Sequence, residues 1–481
     1  MKKFLAVAMA TIFAAMTLTA CNLRQRDDGY VSDLDYALAH ANQRREAINH
    51  PTADYLEALA AGRTHRGTID LRELMTPLPT PREISAEDAV YDTNVFFSLL
   101  RDIYGAYYCF GGDEVFLPMW DDIILQLQQQ DTWNMASFRN LLADNLSAVI
   151  GDNHFWIDNR LIAASTFFFE FGHPFEKAEN GFRHTESGLY VADIAGYEPD
   201  DVFRLSLNAY GELYYAIVVA QPNPHRLPMD MYELTIVLEN GETLTENMVS
   251  TRPRPFAQEF PSLRYEDDIP VVTVRSMGHP ESEVTDGFIC SAGARLFLSF
   301  AEELADEPVV IIDIRSNTGG NALLSTMWLY RFLGEVVPHN LYPIARDVYL
   351  EVPDAWLADF YNSEESFEKY WAAPAGDTTK NDRLIVLLTD RFAWSAGDAF
   401  ASQMLNVQNT LVVGQNTGGA LITDSLAYPM YLPNSGLPFV YGTTRLVHPH
   451  GLFEEGLGVA PDVWVSGDAL TATLAMLAHN R

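Results

Sequence analysis

One serine in this sequence stands where a hydroxyl could act as a nucleophile. Ser395 follows an apolar run, Leu384–Leu388, and is followed by small residues that begin a helical pattern. A hydroxyl at the N-terminus of a helix lies beside unpaired N–H groups and the positive end of the helix dipole, where a developing negative charge is stabilised. Serine is also a very common helix N-cap, so the position alone is compatible with both roles.

A serine hydroxyl becomes nucleophilic when a base lies beside it. Lysine is one possible base, but the last lysine of the chain is Lys380, so none follows Ser395. We therefore expect the base to be a histidine. His154 ends a helical segment at a glycine turn and has the most suggestive setting, while His448 and His450 are alternatives that lie closer to the serine in sequence.

A second predicted strand ends in two glycines. Gly319 and Gly320 follow the apolar run Val309–Ile314. Paired glycines at a strand end allow backbone N–H groups to face a ligand, although they are equally typical of a simple tight turn. Sites in parallel α/β sheets gather at the carboxyl ends of the strands, so this loop and the Ser395 turn are the two places where chemistry is expected.

The elements that must position these residues follow from the hydrophobic pattern. Apolar strands alternate with helical patterns in residues 268–481, which predicts a parallel α/β core. Residues 86–159 have apolar side chains at helix spacing and predict a helical region that carries His154. Residues 160–267 predict an inserted β domain, and residues 21–85 predict a tether with short helices. The predicted core elements are Val309–Ile314, Ala322–Leu333, Leu384–Leu388, Ala396–Leu405 and Leu411–Val413.

The first residues have the layout of a bacterial secretory signal. A basic start, Met1–Lys3, precedes an apolar run and the segment Leu18–Cys21, which resembles a lipobox. We therefore expect residues 1–20 to be removed and Cys21 to carry a lipid that tethers the body to a membrane. Asn22 resembles an outer-membrane sorting signal if the cell has two membranes, and otherwise the cell surface is expected. No later stretch is long and uncharged enough to span a bilayer.

Charge and cysteine content argue against other classes of protein. The 481 residues include 65 acidic and 31 basic side chains, a formal charge of −34, so binding of nucleic acid through a general basic surface is not expected. Hydrophobic residues make up 48%, which is typical of a folded chain and not of a disordered one. Three cysteines cannot form a disulfide framework, and Cys109 and Cys290 could either pair or remain as buried thiols.

Several short segments together resemble a known family. The chain resembles the tail-specific, or C-terminal-processing, serine peptidases (serine peptidase family 41), and more closely their tricorn-core branch. No single segment is specific, but the order and spacing of all of them are. The segments are Ile311–Gly320 (similar to "IDLRxNxGG"), Ser395–Asp398 ("SAGE", with Asp for Glu), Val413–Gly419 ("VGxxTxG"), Glu455–Asp462 ("EGxGVxPD") and Asp152–His154 ("DGH").

The resemblance implies roles for individual residues. Ser395 would be the nucleophile and His154 the general base, and Glu455 would orient the histidine, with Glu454 as the adjacent alternative. The backbone N–H groups of Ala396 and of Gly319 or Gly320 would form the oxyanion hole. A Ser–Lys branch of the family has its lysine where this chain has Ala420, which agrees with a Ser–His–Glu arrangement.

The resemblance also implies a fold and a substrate class. The core would be a crotonase-like or ClpP-like α/β unit, the β domain could be PDZ-like, and the substrate would be a peptide or unfolded protein, with no metal and no cofactor required. Asn153 in place of glycine, and Trp394 before the nucleophile, depart from the family pattern and bear on substrate preference.

Two other functions are compatible with the same fold. One is a catalytically silent peptidase-like lipoprotein that binds a peptide or apolar ligand in the same cleft; the presence of all three triad residue types argues against it. The other is a crotonase-like acyl-CoA enzyme. An exported and strongly acidic chain offers few basic residues for the CoA phosphates, so this hypothesis is the weakest.

Overall fold

The computed structural model describes residues 32–60, 67–223, 231–251, 254–278, 282–285, 288–344, 348–351, 378–425 and 429–479. The predicted signal peptide and Cys21 lie outside the described residues, and so does the side chain of Cys290. Within the described part of the chain, no helix combines the length and apolar character needed to cross a bilayer.

Helices are concentrated in the first third of the chain and around the later strands. The described α-helices are Asp33–Glu46, Ala53–Ala60, Ala86–Ile103, Gly112–Leu127, Met135–Ser147, Pro199–Val202, Ala292–Glu303, Leu323–Leu333, Ala396–Met404 and Ala469–His479, and Tyr107–Phe110 is a 3₁₀-helix.

One sheet of 11 strands organises the molecule. Its strands, in spatial order, are Ser262–Glu266, Ile269–Thr273, Val309–Asp313, Leu384–Thr389, Thr410–Gly414, Val463–Trp464, Phe203–Leu207, Leu213–Asn223, Phe175–Ala178 and Gly181–His184, and Ser165–Glu170 pairs with Leu213–Asn223 off this path. Six adjacent strands, from Ile269–Thr273 to Phe203–Leu207, are parallel. The outer pairings are antiparallel.

Smaller sheets and hairpins surround this sheet. Their strands are Gly67–Asp70, Glu83–Ser85, Thr132–Asn134, Trp156–Ile157, Arg160–Leu161, Val191–Ile194, Met231–Leu238, Thr243–Val249, Ser282–Thr285, Phe288–Ser291, Tyr342–Ile344, Val348–Glu351, Thr423–Ser425, Met430–Tyr431, Pro438–Val440, Gly442–Val447, Phe453–Glu454 and Gly458–Val459.

The central strands are buried on both faces. Alternate side chains of Leu384–Thr389 enter two different hydrophobic clusters: Ile385 and Leu387 pack with the helices Ala292–Glu303, Leu323–Leu333 and Ala396–Met404. Val386 and Leu388 enter the cluster on the opposite face, with the helices Asp33–Glu46 and Ala469–His479. Burial on both faces is why these strands are continuous apolar runs in the sequence. The predicted α/β class with an N-terminal helical region is confirmed.

The strands of residues 160–267 are divided between sheets: Val191–Ile194, Met231–Leu238 and Thr243–Val249 form a small sheet, and most of the others extend the large one. Phe203–Leu207 pairs with Val463–Trp464 in the large sheet through the register Ser206↔Trp464. One hydrophobic cluster contains Phe169 and Ile217 together with Val413 of the core. The boundary predicted near residue 267 is therefore not visible as a break in the main sheet.

The helical region supports the loop that carries His154. Helix Ala86–Ile103 begins at Ser85, whose hydroxyl accepts the Asp88 N–H at 3.0 Å. Its buried face packs aromatic rings, with Phe96 and Phe155 centroids 6.3 Å apart. Because Phe155 is fully buried and adjoins His154 in sequence, its packing in this core fixes the position of the histidine loop.

Candidate active site

Ser395 occupies a sharp turn between a strand and a helix. Strand Leu384–Thr389 ends six residues earlier, and helix Ala396–Met404 starts directly after Ser395. The backbone of Ser395 has φ +56° and ψ −110°, a conformation that costs a residue with a Cβ on the order of 1–3 kcal/mol. Its side chain is only half-buried. The turn therefore presents the hydroxyl instead of packing it.

A buried carboxyl holds this turn in place. Asp398 accepts the N–H groups of Ser395 at 2.7 Å, of Gly419 at 2.8 Å and of Ala420 at 3.1 Å. Burial raises the pKa of Asp398, and the hydrogen bonds from Thr417 and from these N–H groups oppose that rise. Asp398 thus joins the Ser395 turn to the loop that follows strand Thr410–Gly414.

Gly319 lies against the serine, and the two glycines differ as hydrogen-bond donors. A Cβ on Gly319 would lie 2.8 Å from the Ser395 Cβ, so no larger residue fits there. The Gly319 N–H donates to Asn317 Oδ1 at 2.9 Å and is already used. Our expectation of Gly319 as an alternative oxyanion donor is therefore corrected: it is a close-packing position. No partner is found within the described residues for the N–H of Gly320 or Ala396.

An ion-pair network anchors the start of the glycine loop. Asp313 is fully buried and accepts hydrogen bonds from Arg275 and Arg315. Burial by itself would raise its pKa, but the bonds from Arg315 and Arg275 lower the pKa to about 2. Farther along, Ser316 has φ +59° and donates its N–H to Asp390 Oδ1 at 2.8 Å. The loop is thus tied to the turn that leads to Ser395.

The loop of His154 reaches the same group of loops. It lies between helix Met135–Ser147 and strand Trp156–Ile157. Asn153 Nδ2 donates to the Gly419 carbonyl at 2.6 Å, and Gly419 is bound by Asp398 as described above. The rings of Trp156 and of Trp394, the residue before Ser395, have centroids 6.5 Å apart. The structure therefore brings together the two loops that carry His154 and Ser395.

Two contacts describe His154 itself. Its backbone N–H donates to Asp152 Oδ1 at 2.8 Å. Its ring atom Nδ1 is buried and has no hydrogen-bond partner among the described residues. The ring is therefore not committed through Nδ1 to a structural hydrogen bond in this state.

Glu455 binds backbone groups and not the imidazole. Oε1 accepts the Asn153 N–H at 2.8 Å, and Oε2 accepts the N–H groups of Leu421 at 2.9 Å and Ile422 at 2.8 Å. The resemblance implied that Glu455 orients the histidine; in the structure this carboxylate holds the backbone beside the histidine. Glu454, the alternative, is exposed.

The surroundings of Glu455 also shift its pKa. Burial and, second, the charge of Asp152 raise the pKa of Glu455 well above its ordinary value, while its backbone hydrogen bonds oppose the rise. Two carboxyls thus share the environment behind His154, and the proton on Glu455 is held more tightly than in water.

Asp152 is a site residue to which the sequence patterns assigned no role. It is fully buried, and Oδ2 accepts the hydroxyls of Tyr104 and Thr423, both at 2.9 Å. Its signal in the sequence was the acid two positions before His154, a spacing that allows the side chain to bind the histidine's own N–H.

Arg391 is a second residue that sequence reasoning missed. Its guanidinium donates to the carbonyls of Leu457 and Gly456, both at 2.7 Å, and also binds the Thr417 carbonyl. The arginine therefore links the Ser395 turn to the loop of Thr417 and to the loop of Glu455. An arginine two residues after a buried strand was the available signal.

The two alternative histidines have other surroundings. His448 is largely buried, its Nε2 lies 2.9 Å from the Leu421 carbonyl, and its ring stacks on Phe453 with centroids 4.3 Å apart. Burial lowers the pKa of His448 to about 4, against a weaker opposing effect of that hydrogen bond. His450 is exposed, and its backbone bridges to Asn49.

Both the sequence and the fold of this chain resemble those of known proteins. Residues 269–465 match the family model of peptidase family S41. None of the curated proteins has a matching sequence. Similar solved structures include mature CPAF complexed with lactacystin (14% identity, TM-score 0.41, 82% of this chain and 98% of the other), a lipoprotein from Streptococcus agalactiae (13%, 0.40, 84% and 99%) and the photosystem II D1 C-terminal processing protease (11%, 0.38, 81% and 96%).

Likenesses at these scores support no conclusion about function, so the assignment depends on the sequence match. That match contains the glycine loop, the Ser395 turn and the loop of Glu455. Residues 269–465 are therefore similar to peptidase family S41, and the chain is a serine-type peptidase.

Proposed function

We propose that this chain is an exported, lipid-anchored peptidase that cleaves peptides or unfolded proteins through an acyl-enzyme on Ser395, with His154 as base and Glu455 as a supporting carboxyl. One observation carries the proposal: the strained, half-buried Ser395 lies against Gly319 and is connected by hydrogen bonds to the loop of His154. Asp398 accepts the N–H groups of both Ser395 and Gly419, and the Gly419 carbonyl accepts a hydrogen bond from Asn153, the residue before His154.

The chemistry follows from the groups at this junction. His154 accepts the hydroxyl proton as Ser395 Oγ attacks the peptide carbonyl carbon, and the carbonyl oxygen becomes an oxyanion. The N–H groups of Gly320 and Ala396 are the donors left for that oxygen, and one such donor is typically worth about 3 kcal/mol of barrier. The imidazolium then protonates the leaving amine, and water activated by His154 hydrolyses the acyl-enzyme.

The two carboxyls behind the histidine act through position and field. Asp152 fixes the His154 backbone, and Glu455 fixes the preceding peptide unit through the Asn153 N–H. Negative charge on this pair stabilises the imidazolium that forms when His154 takes the serine proton.

Export and lipid attachment are proposed from the first 21 residues. The basic start, the apolar run and the lipobox-like segment that ends at Cys21 support them. An enzyme tethered in this way would meet substrates in the cell envelope, at the outer membrane or facing the periplasm if the cell has two membranes.

A fluorophosphonate probe tests the proposal directly, because it reacts with serines activated by a base. We expect the folded protein to be labelled at a single residue, identified by peptide mass spectrometry as Ser395. The heat-unfolded protein is the control and should not react. Labelling at another serine, or none in protein shown to be folded by circular dichroism, would favour a cleft that only binds ligands.

A pH experiment tests the state of Glu455. Because its pKa is raised in the folded protein, its contribution to stability is complete below the unfolded pKa and is lost as the pH rises through the folded pKa. In Glu455→Gln this titration is gone, and replacing one oxygen by an amide loses at least one acceptor, a cost of about 1 kcal/mol. We therefore expect Glu455→Gln to be less stable at acidic pH and the difference to shrink as pH rises.

Urea unfolding between pH 4 and 8 measures this difference. Glu454→Gln is the matched control, since that neighbouring side chain is exposed. The same pH slope for Glu455→Gln and wild type, or a change of slope in Glu454→Gln, would show that Glu455 is not the titrating carboxyl.

A further inference from the structure

Two histidines and a glutamate meet at the edge of the large sheet, in a place that the proposed mechanism does not use. His173 precedes strand Phe175–Ala178, and His184 is the last residue of the neighbouring strand Gly181–His184. Glu186 follows in the turn after that strand. One ligand atom from each of the three side chains lies within 4.8 Å of the other two. Such a group has the composition of a site for a divalent transition metal.

The two imidazoles face each other through ring nitrogens. His184 Nε2 and His173 Nδ1 are 3.3 Å apart. In a tetrahedral zinc site with Zn–N distances near 2.0–2.1 Å, two nitrogen ligands are about 3.3–3.4 Å apart. The nitrogen pair therefore already has the separation that a shared zinc ion requires. Glu186 is exposed, so a change of its rotamer can bring the carboxylate closer.

Burial and a hydrogen bond hold the His184 side chain in one position. The residue is 4% exposed, and its ring packs on Phe175 with centroids 5.6 Å apart. Its Nδ1 lies 3.0 Å from Ser187 Oγ, which also accepts the Leu189 N–H at 3.3 Å. A second nitrogen held by a hydrogen bond is the usual way to fix the tautomer and orientation of a metal-binding histidine. Nε2 is thereby directed at His173.

Backbone pairing keeps the two histidines in register. Thr185, the residue after His184, donates its N–H at 3.1 Å and its hydroxyl at 2.9 Å to the carbonyl of Pro174, the residue after His173. Both ligands are therefore positioned by the hairpin before any ion binds, which lowers the entropic cost of binding.

We propose that His173, His184 and Glu186 bind Zn²⁺, with water as the fourth ligand. Imidazole and carboxylate are ligands that zinc accepts in tetrahedral sites. Six strand-to-strand steps separate Gly181–His184 from Leu384–Thr389, which leads to the serine. At 4.7–4.9 Å per step this is about 29 Å, so the ion would brace the outer hairpin and take no part in peptide cleavage.

Titration of chelator-treated full-length protein tests the site. We expect Zn²⁺ to bind one ion per chain by calorimetry and to raise the thermal midpoint as its concentration rises. Co²⁺ in the same site should show the visible absorption of tetrahedral coordination. His173→Ala and Glu186→Gln should each weaken Zn²⁺ binding by at least about tenfold. Glu179→Gln changes an exposed acid of the same hairpin and should leave the affinity unchanged.

Two results would overturn the proposal. One is the absence of saturable binding at one ion per chain; the other is equal affinity in wild type and His173→Ala, which would leave a simple imidazole–imidazole hydrogen bond. His184→Ala removes a buried ring and could unfold the hairpin, so the two less buried ligands decide the question. Fluorophosphonate labelling of the zinc-free protein, expected to be unchanged, keeps this test separate from the peptidase proposal.

Discussion

Replacing Ser395 by glycine should abolish peptide cleavage and yield a protein more stable than the Ser395→Ala variant. The backbone at Ser395, with φ +56°, is strained for any residue with a Cβ, so alanine keeps the strain and glycine removes it. After the greater entropy of an unfolded glycine is counted, we expect the glycine variant to unfold with about 1 kcal/mol more free energy than the alanine variant. Both should lose cleavage by on the order of 10³–10⁶-fold.

Cleavage of a fluorescently labelled unfolded protein, such as casein, and urea unfolding measure the two effects. The alanine variant is the matched control, because it removes the same hydroxyl and leaves the backbone preference in place. Cleavage retained by either variant would show that Ser395 is not the nucleophile. A glycine variant less stable than the alanine variant would show that the turn does not store strain.

This pair of variants separates two consequences of the same backbone geometry. A serine that caps a helix in the ordinary way has extended backbone, as Ser85 does with φ −67° and ψ 154°. Ser395 departs from that geometry although it stands at the same kind of position, and the Asp398 carboxyl binds its N–H. Strain maintained by a buried group at a helix start is expected where the side chain must be presented to a substrate.

The core strands could be predicted because their signal is local. Val309–Asp313 and Leu384–Thr389 are buried on both faces, so every position selects an apolar side chain and the runs are visible without knowledge of their partners. The helices that follow them were predicted within one residue at each end. When a short apolar run is followed by a turn and then by apolar residues at helix spacing, few secondary structures other than strand, turn and helix fit the pattern.

The assembly of the sheet could not be predicted in the same way. The register Ser206↔Trp464 joins segments more than 250 residues apart, and neither segment contains a pattern that identifies the other as its pairing partner. Residues 160–267 therefore suggested a domain of their own, whereas several of their strands extend the main sheet.

The site was predictable in its residue types and less so in its contacts. Ser395 and His154 have motifs around them, but the acceptor role of Glu455 depends on the N–H groups of Leu421 and Ile422, which any sequence supplies. Backbone donors leave no trace in residue identity. Asp152 and Arg391 were missed for the same reason: each binds backbone atoms of distant or adjacent loops.

Replacing His154 by alanine should lower the rate at which Ser395 is acylated by two to four orders of magnitude, the usual contribution of a general base. The stability of this variant should change little, because the side chain is half-buried and its Nδ1 has no hydrogen-bond partner among the described residues. The rate of fluorophosphonate labelling, measured against urea stability for the same samples, gives both quantities.

His448→Ala and His450→Ala are the matched controls, and their expected effects on stability differ. His448 is neutral at pH 7 because burial lowers its pKa to about 4, and the nitrogen that faces the Leu421 carbonyl must carry the proton, so that nitrogen cannot accept one from Ser395. Removing this ring should destabilise the fold by on the order of 2 kcal/mol and leave acylation of the folded fraction within a few-fold of wild type. His450 is exposed, and its replacement should change neither quantity. If acylation persists in His154→Ala and disappears in folded His448→Ala, the proton acceptor is His448, and the loop of residues 152–154 has only a structural role.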